Sequence, residues 1–275
     1  MNVLSRKKFE NDFQDSGQHR LKKGLSQVFL LDREAIEKIA SSISIRGKTV
    51  LEIGAGEGIL TRALAEKTGP KGRVVALEID SSLAPKLKER LKGLKNVEVN
   101  FADALDFDFS GFKIIFGNLP YHLSSKLLFK ILHGNFSTAV LCLQKEFAYR
   151  LLAKPGEREY SRLSVMSQNS ADVKMLFEIP RFSFVPMPDV DSAVVLLESN
   201  KKFSLNHNLV SALFQHKNQS VRKSFLHSRG QFGLGKEEAS ELCKIIPFSS
   251  TRVKNLGLEE LSGISEWFER LKLLC

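Results

Sequence analysis

Residues 114–125, IIFGNLPYHLSS, end an apolar run in an amide, a proline and an aromatic ring. An exocyclic amine on a flat heterocyclic base is a poor nucleophile, because its lone pair is delocalised into the ring. Two acceptors that bind both of its N–H groups turn that lone pair outward. The Asn118 side-chain oxygen and the Leu119 carbonyl are the candidate acceptors. Pro120 stiffens the turn and has no N–H to compete. Tyr121 offers a ring on which a base can stack, a contact worth ~1–3 kcal/mol. These four residues read as a holder for a base whose amino group is methylated, working by positioning and charge complementarity. No strong general base is needed, since the amine becomes acidic once methylated. The competing reading is a turn after a strand. Phe184, in FSFVPMPDVDS, is expected to supply a second aromatic face against a base taken out of its stack; core packing is the alternative for it.

A methyl donor needs its own site. LEIGAGEG carries glycines at 54, 56 and 58, which allow a tight turn and a close backbone approach to a ligand. The spacing is G-x-G-x-G, not the dinucleotide G-x-G-x-x-G. Glu78 ends the next strand, where an acid takes ribose hydroxyls, and Asp103 ends the third, within reach of an adenine amino group. Helix capping is the competing role for both acids. A ribose acid and an adenine acid without a pyrophosphate fingerprint suit S-adenosylmethionine.

The elements that must position these groups follow from periodicity. Apolar strands are expected at KTVLEIGAG (48–56), RVVALEID (73–80), VEVNFAD (97–103), KIIFGNLP (113–120) and TAVLCLQ (138–144), alternating with amphipathic helices. Continuous apolar strands alternating with helices imply a parallel sheet covered on both faces, a doubly wound α/β fold. Asp32 is a candidate cap for a helix beginning in LLDREAIEKIA. DVKMLFEIP and SAVVLLE are expected to form an antiparallel hairpin at the sheet edge. From about residue 200 the strand signals stop, and LVSALFQHKNQSVRKSFLHS, KEEASELCKII and LEELSGISEWFERLKLL read as helical. Three segments result: an arm over 1–24, a catalytic domain over 25–199 and a small helical domain over 200–275, marginal in size for an independent core.

The net charge of +10 points to a polyanionic partner, with a general solubility bias as the bland alternative. Three widely spaced cysteines and six histidines without ligand spacing argue against a disulfide framework or a metal site. A reducing, cytoplasmic location is expected. No apolar run approaches the ~20 residues of a membrane span.

LSQVFLLD, LEIGAGEGILT, ALEID, ADAL, GNLPYHLSS, FSFVPMPDVDSAVV, FQHKNQSVRKSFL and RVKNLGLEEL run through residues 25–265 in the order found in one family. The chain resembles the ribosomal RNA adenine N6-dimethyltransferases of the small subunit, in particular the archaeal type. The resemblance implies a class I S-adenosylmethionine-dependent methyltransferase: a Rossmann-like, mostly parallel seven-stranded sheet followed by an all-helical domain. It implies four methyl transfers, two to each of two adjacent adenosines near the RNA 3′ end, in ribosome biogenesis. Donor contacts are implied for Gln27, Val28, Leu30, Gly54, Glu78, Asp103 and Asn118, with Gly56 in the same glycine turn. Val28 departs from the polar residue common there, so a contact at that position must use backbone or apolar surface. Lys217, Arg222 and Lys223 are expected to touch RNA phosphates, although HKNQSVRK is less basic than the corresponding run of relatives. The implied partners are small-subunit ribosomal RNA and its precursor subunit, with the protein a monomer. The alternatives are a non-catalytic nucleic-acid-binding or assembly factor, a methyltransferase of large-subunit RNA or DNA adenine, and a nicotinamide-dependent dehydrogenase. The last is disfavoured by the glycine spacing and by the lack of a catalytic His or Tyr–Lys pair.

Overall fold

A computed structural model describes residues 28–272. The expected arm over 1–24, the donor contact expected of Gln27, and Cys275 lie outside the described residues.

The strands are β1 (Phe29–Leu30), β2 (Thr49–Ile53), β3 (Arg73–Glu78), β4 (Val97–Phe101), β5 (Ile114–Asn118), β6 (Thr138–Gln144), β7 (Ala171–Ile179), β8 (Phe184–Val185) and β9 (Ser192–Ser199). Seven of them form one sheet in the order β4-β3-β2-β5-β6-β9-β7. Strands β2 to β6 run parallel, while β9 is antiparallel to both β6 and β7. The edge hairpin read from the sequence is therefore β7–β9, with β9 on the inner side. The remaining pair, β1 and β8, forms a short antiparallel ribbon joining residues far apart in the chain.

Alternate strand residues enter different cores, as the two-residue period requires. Leu51, Val75, Ile115, Leu141 and Val195 pack on one face with helices α4 (Ser124–His133) and α5 (Lys145–Leu152). Val50, Val74, Phe116, Val140 and Val194 pack on the other with α1 (Arg33–Ala40) and α2 (Ile59–Thr68). Helix α1 starts where the Asp32 carboxylate accepts from the Glu34 and Ala35 amides, at 3.1 and 3.2 Å. Helix α3 (Ala84–Arg90) covers the outer part of the sheet through Leu87.

The helical lobe comprises α7 (His207–Gln215), α8 (Val221–Ser228), α9 (Lys236–Ile245) and α10 (Leu258–Lys272). The single helical stretch expected over LVSALFQHKNQSVRKSFLHS is two helices. The turn between them ends at Ser220, whose hydroxyl caps α8 by accepting from the Lys223 amide. The core of this lobe also takes Ala153, Tyr160, Val165 and Met166 from the segment that includes α6 (Arg162–Ser170). Tyr160 donates to the Leu256 carbonyl at 2.9 Å in the middle of this core. A lobe of this size thus gains apolar surface from the larger one instead of closing alone. His133 of α4 and His207 of α7, with ring nitrogens 3.3 Å apart, form another contact between the lobes.

Cys142 and Cys243 are buried free thiols. Among the described residues no helix is long and apolar enough to cross a membrane, and no group of three or more His, Cys, Asp or Glu is placed to hold a metal ion.

Candidate active site

The C-terminal ends of β2, β3, β4 and β5 open into one cleft of about 1090 Å³, part of it continuous with solvent. Its lining includes Val28, Leu30, Gly54, Gly56, Glu78, Asp103, Asn118, Leu119 and Pro120. Ligands of open α/β sheets bind at these strand ends.

The glycine turn after β2 is close-fitting. Gly54 has φ +81°, and a Cβ there would lie 3.1 Å from the Asn118 carbonyl oxygen. The Gly54 and Ala55 amides both donate to the Leu77 carbonyl at 2.9 Å, tying the turn to β3. The Phe29 ring covers the turn, where a Cβ on Gly56 would lie 2.9 Å from it. Glu57, 6% exposed, is held from outside the turn by Lys86 at 2.6 Å and Arg90 at 3.4 Å.

Glu78 is buried at the end of β3. One of its oxygens accepts from the Gly56 amide and the other from the Asp80 amide, each at 2.8 Å. Burial raises its pKa above the usual carboxylate value, and the two amide bonds oppose that shift. Asp103 accepts from the Leu105 amide through Oδ1 at 2.8 Å. Glu52 sits deeper, wholly buried on β2, with neither carboxylate oxygen hydrogen-bonded. Burial drives its pKa up to about 7; the neighbouring Thr61 hydroxyl opposes the shift, and the charge of Glu78 adds to it.

Strand β5 delivers Asn118 to the cleft wall between Gly54 and β6, with Asn118 in register with Cys142. Asn118 Nδ2 donates to the Val28 carbonyl at 3.1 Å, which fixes the amide's orientation. Its Oδ1 is buried without a hydrogen-bond partner. An unpaired buried acceptor costs ~1–3 kcal/mol, so this atom is suited to a donor brought by a ligand. The Leu119 amide donates to the Cys142 carbonyl at 3.2 Å, whereas the Leu119 carbonyl accepts no hydrogen bond among the described residues. The Pro120 carbonyl accepts from the Leu123 amide at 2.9 Å and the Ser124 hydroxyl at 3.1 Å, bending the chain into α4. Two acceptors at adjacent residues are thus left for an amino group. Tyr121 is half-buried and lies outside the cleft lining, with its hydroxyl 2.7 Å from Ser192 Oγ. Burial pushes its phenol pKa above the ordinary value, so the hydroxyl stays protonated.

Two expected roles are corrected. Phe184 is 1% exposed in β8, in register with Leu30 and packed in the core with Ile36 and Val194, so its ring has no face for a base. Lys217 donates from Nζ to the Arg158 carbonyl at 2.7 Å and the Tyr160 carbonyl at 2.8 Å. It braces the loop before α6 instead of standing free for phosphates. Arg222 and Lys223, on the first turn of α8, are exposed. The Val28 carbonyl is the acceptor for Asn118 Nδ2, and Val28 lines the cleft.

The cleft lining also includes Ile79, Glu57 and His122, which sequence reasoning did not single out. Ile79 and His122 each follow a residue that was picked, and position beside a site residue was the available signal. The lining holds three carboxylates and neither lysine nor arginine. With Glu57 paired to Lys86 and Arg90, Glu78 and Asp103 remain to face a ligand, which fits a cationic adenosine derivative such as S-adenosylmethionine and is unsuited to a pyrophosphate.

The family model for ribosomal RNA adenine dimethylases matches residues 18–244. A relative from Thermococcus sibiricus, a probable ribosomal RNA small subunit methyltransferase A, is 40% identical over 257 residues, covering 91% of this chain and 93% of its own. A protein of the same description from Methanococcus maripaludis is 39% identical over 236 residues, covering 82% and 89%. Among solved structures, a dimethyladenosine transferase from Plasmodium falciparum superposes with a TM-score of 0.76 at 28% identity, covering 88% of this chain and 98% of that one. The 23S rRNA methyltransferase ErmE gives 0.64 at 28% identity, covering 88% and 99%.

Proposed function

The chain belongs to the ribosomal RNA adenine dimethylase family, and we propose that it dimethylates the N6 amino groups of two adjacent adenosines near the 3′ end of small-subunit ribosomal RNA. It is an S-adenosylmethionine-dependent rRNA adenine dimethyltransferase, acting in ribosome biogenesis. The observation that carries the site assignment is the unpartnered Asn118 Oδ1 on the wall of a carboxylate-lined cleft.

S-adenosylmethionine, when bound, supplies a methyl group activated by its sulfonium. The chain's own residues do the rest. Glu78 would take the ribose hydroxyls and Asp103 the adenine amino group of the donor, while Val28, Leu30, Gly54 and Gly56 would form the walls of its site. Asn118 Oδ1 and the Leu119 carbonyl accept the two N–H groups of the target amine and so aim its lone pair. Pro120 holds this turn rigid, and the Tyr121 ring stacks on the flipped base. After transfer the cationic amine loses its proton to water without a dedicated base. Arg222 and Lys223 grip phosphates from the helical lobe.

The substrate assignment is supported by the relatives described as small subunit methyltransferases, which are 39–40% identical, and by the TM-score of 0.76 to the dimethyladenosine transferase against 0.64 to the 23S rRNA enzyme. The proposal includes a monomer acting in the cytoplasm on a precursor of the small subunit. Free buried thiols at Cys142 and Cys243 fit a reducing compartment. The test is to incubate the protein with labelled donor and immature small subunits and to map N6,N6-dimethyladenosine. Two adjacent modified adenosines near the 3′ end are expected; label confined to large-subunit RNA would contradict the assignment.

A further inference from the structure

Ser192 closes the motif FVPMPDVDS, to which the mechanism above gives no task. It is the first residue of β9 and is fully buried. Strands on both sides hold it, with Gln144 of β6 and Ile179 of β7 as its register partners. Its hydroxyl lies 2.7 Å from that of Tyr121, 71 positions away in the chain. The same hydroxyl also interacts with the thiol of Cys142, which is 2% exposed on β6 and is the register partner of Asn118.

We propose that Ser192 is a positioning residue for methyl transfer: by holding the Tyr121 hydroxyl against the sheet, it fixes the plane of the ring on which the target base stacks. The inference rests on the base-holding role proposed above for Tyr121. Tyr121 begins a short 3-10 turn, and only its backbone is constrained by Pro120. Its ring is half-buried and would be free to turn about two side-chain torsions without a tether at the far end. Stacking places a base correctly only if the ring plane is preset to within about 10–20°. Ser192 supplies that tether from the rigid interior of the sheet, one strand beyond the β6 neighbour of Asn118. The amide that aims the amine and the ring that carries the base are thereby referred to the same frame.

The test is a double-mutant cycle on Tyr121→Phe and Ser192→Ala, read as kcat/KM for RNA and as donor affinity by calorimetry. Tyr121→Phe removes one oxygen from a partly exposed side chain, so it stays informative even if Ser192→Ala lowers stability. Each single variant is expected to lose about tenfold in kcat/KM with donor affinity unchanged, and the double variant to lose no more than the worse single one. Multiplying losses would overturn the inference, because a purely structural serine acts independently of the tyrosine hydroxyl. So would full activity of Tyr121→Phe alongside an inactive Tyr121→Ala, which would show that the ring needs no tether. Undiminished transfer by Tyr121→Ala would instead remove the base-holding role itself, and the inference with it.

Discussion

At the residue scale, the site is a set of polar atoms whose partners are either fixed or missing. Asn118 shows both, with its Nδ2 committed to Val28 and its Oδ1 left for a ligand. Glu78 is expected to serve the donor: Glu78→Ala should weaken S-adenosylmethionine binding by about tenfold or more in calorimetry, and unchanged affinity would refute the ribose assignment. Glu52 is a different kind of acid, with a folded-state pKa near 7 against an ordinary 4.5. A carboxyl shifted upward in this way contributes stability that is fully present below about pH 4.5 and is lost as the pH rises through about 7. Glu52→Gln should therefore match the parent in urea unfolding at pH 4 and exceed it by up to ~3 kcal/mol at pH 8. Identical pH slopes for the two proteins would contradict the burial argument. Asn118 was legible in the sequence because an amide and a proline rarely close an apolar run. Phe184 was not: nothing in FSFVPMP reveals which phenylalanine faces inward, and its partner Leu30 lies across a ribbon between distant segments.

At the element scale, function depends on how closely strand ends approach. The turn after β2 passes the end of β5 so closely that a Cβ on Gly54 would lie 3.1 Å from the Asn118 carbonyl, and φ of +81° there is unfavourable for any side chain. Gly54→Ala should destabilise the fold by ~1–2 kcal/mol, through left-handed strain and a contact with the Asn118 carbonyl, and should weaken donor binding. Thermal unfolding with and without donor checks both; an unaltered melting temperature would show that the turn yields easily. The parallel strands could be read because burial on both faces demands long apolar runs. The β1–β8 ribbon could not, since two-residue strands carry no period. The break between α7 and α8 lacks glycine and proline, and only the capping Ser220 marked it.

At the scale of the whole molecule, a basic chain carries its site at the C-terminal strand ends of the sheet and exposed cations on its helical lobe, and its cations divide by task. Lys217 is a strut, whereas Arg222 and Lys223 are exposed. Lys217→Met should cost ~1–3 kcal/mol of stability through two charge-assisted hydrogen bonds. Arg222→Ala should leave stability unchanged and lower the salt dependence of RNA binding by about one unit of slope. The +10 charge was visible in the sequence, but not which cations are occupied by carbonyls, because packing decides that. Donor and base meet at one wall, and the account stands or falls on the Asn118 oxygen at that meeting point. The most direct test is single-turnover methyl transfer by Asn118→Ala to immature small subunits at saturating donor, with donor affinity measured in parallel. The account predicts that transfer is abolished while donor affinity stays within a few fold; transfer at the parent rate would contradict it.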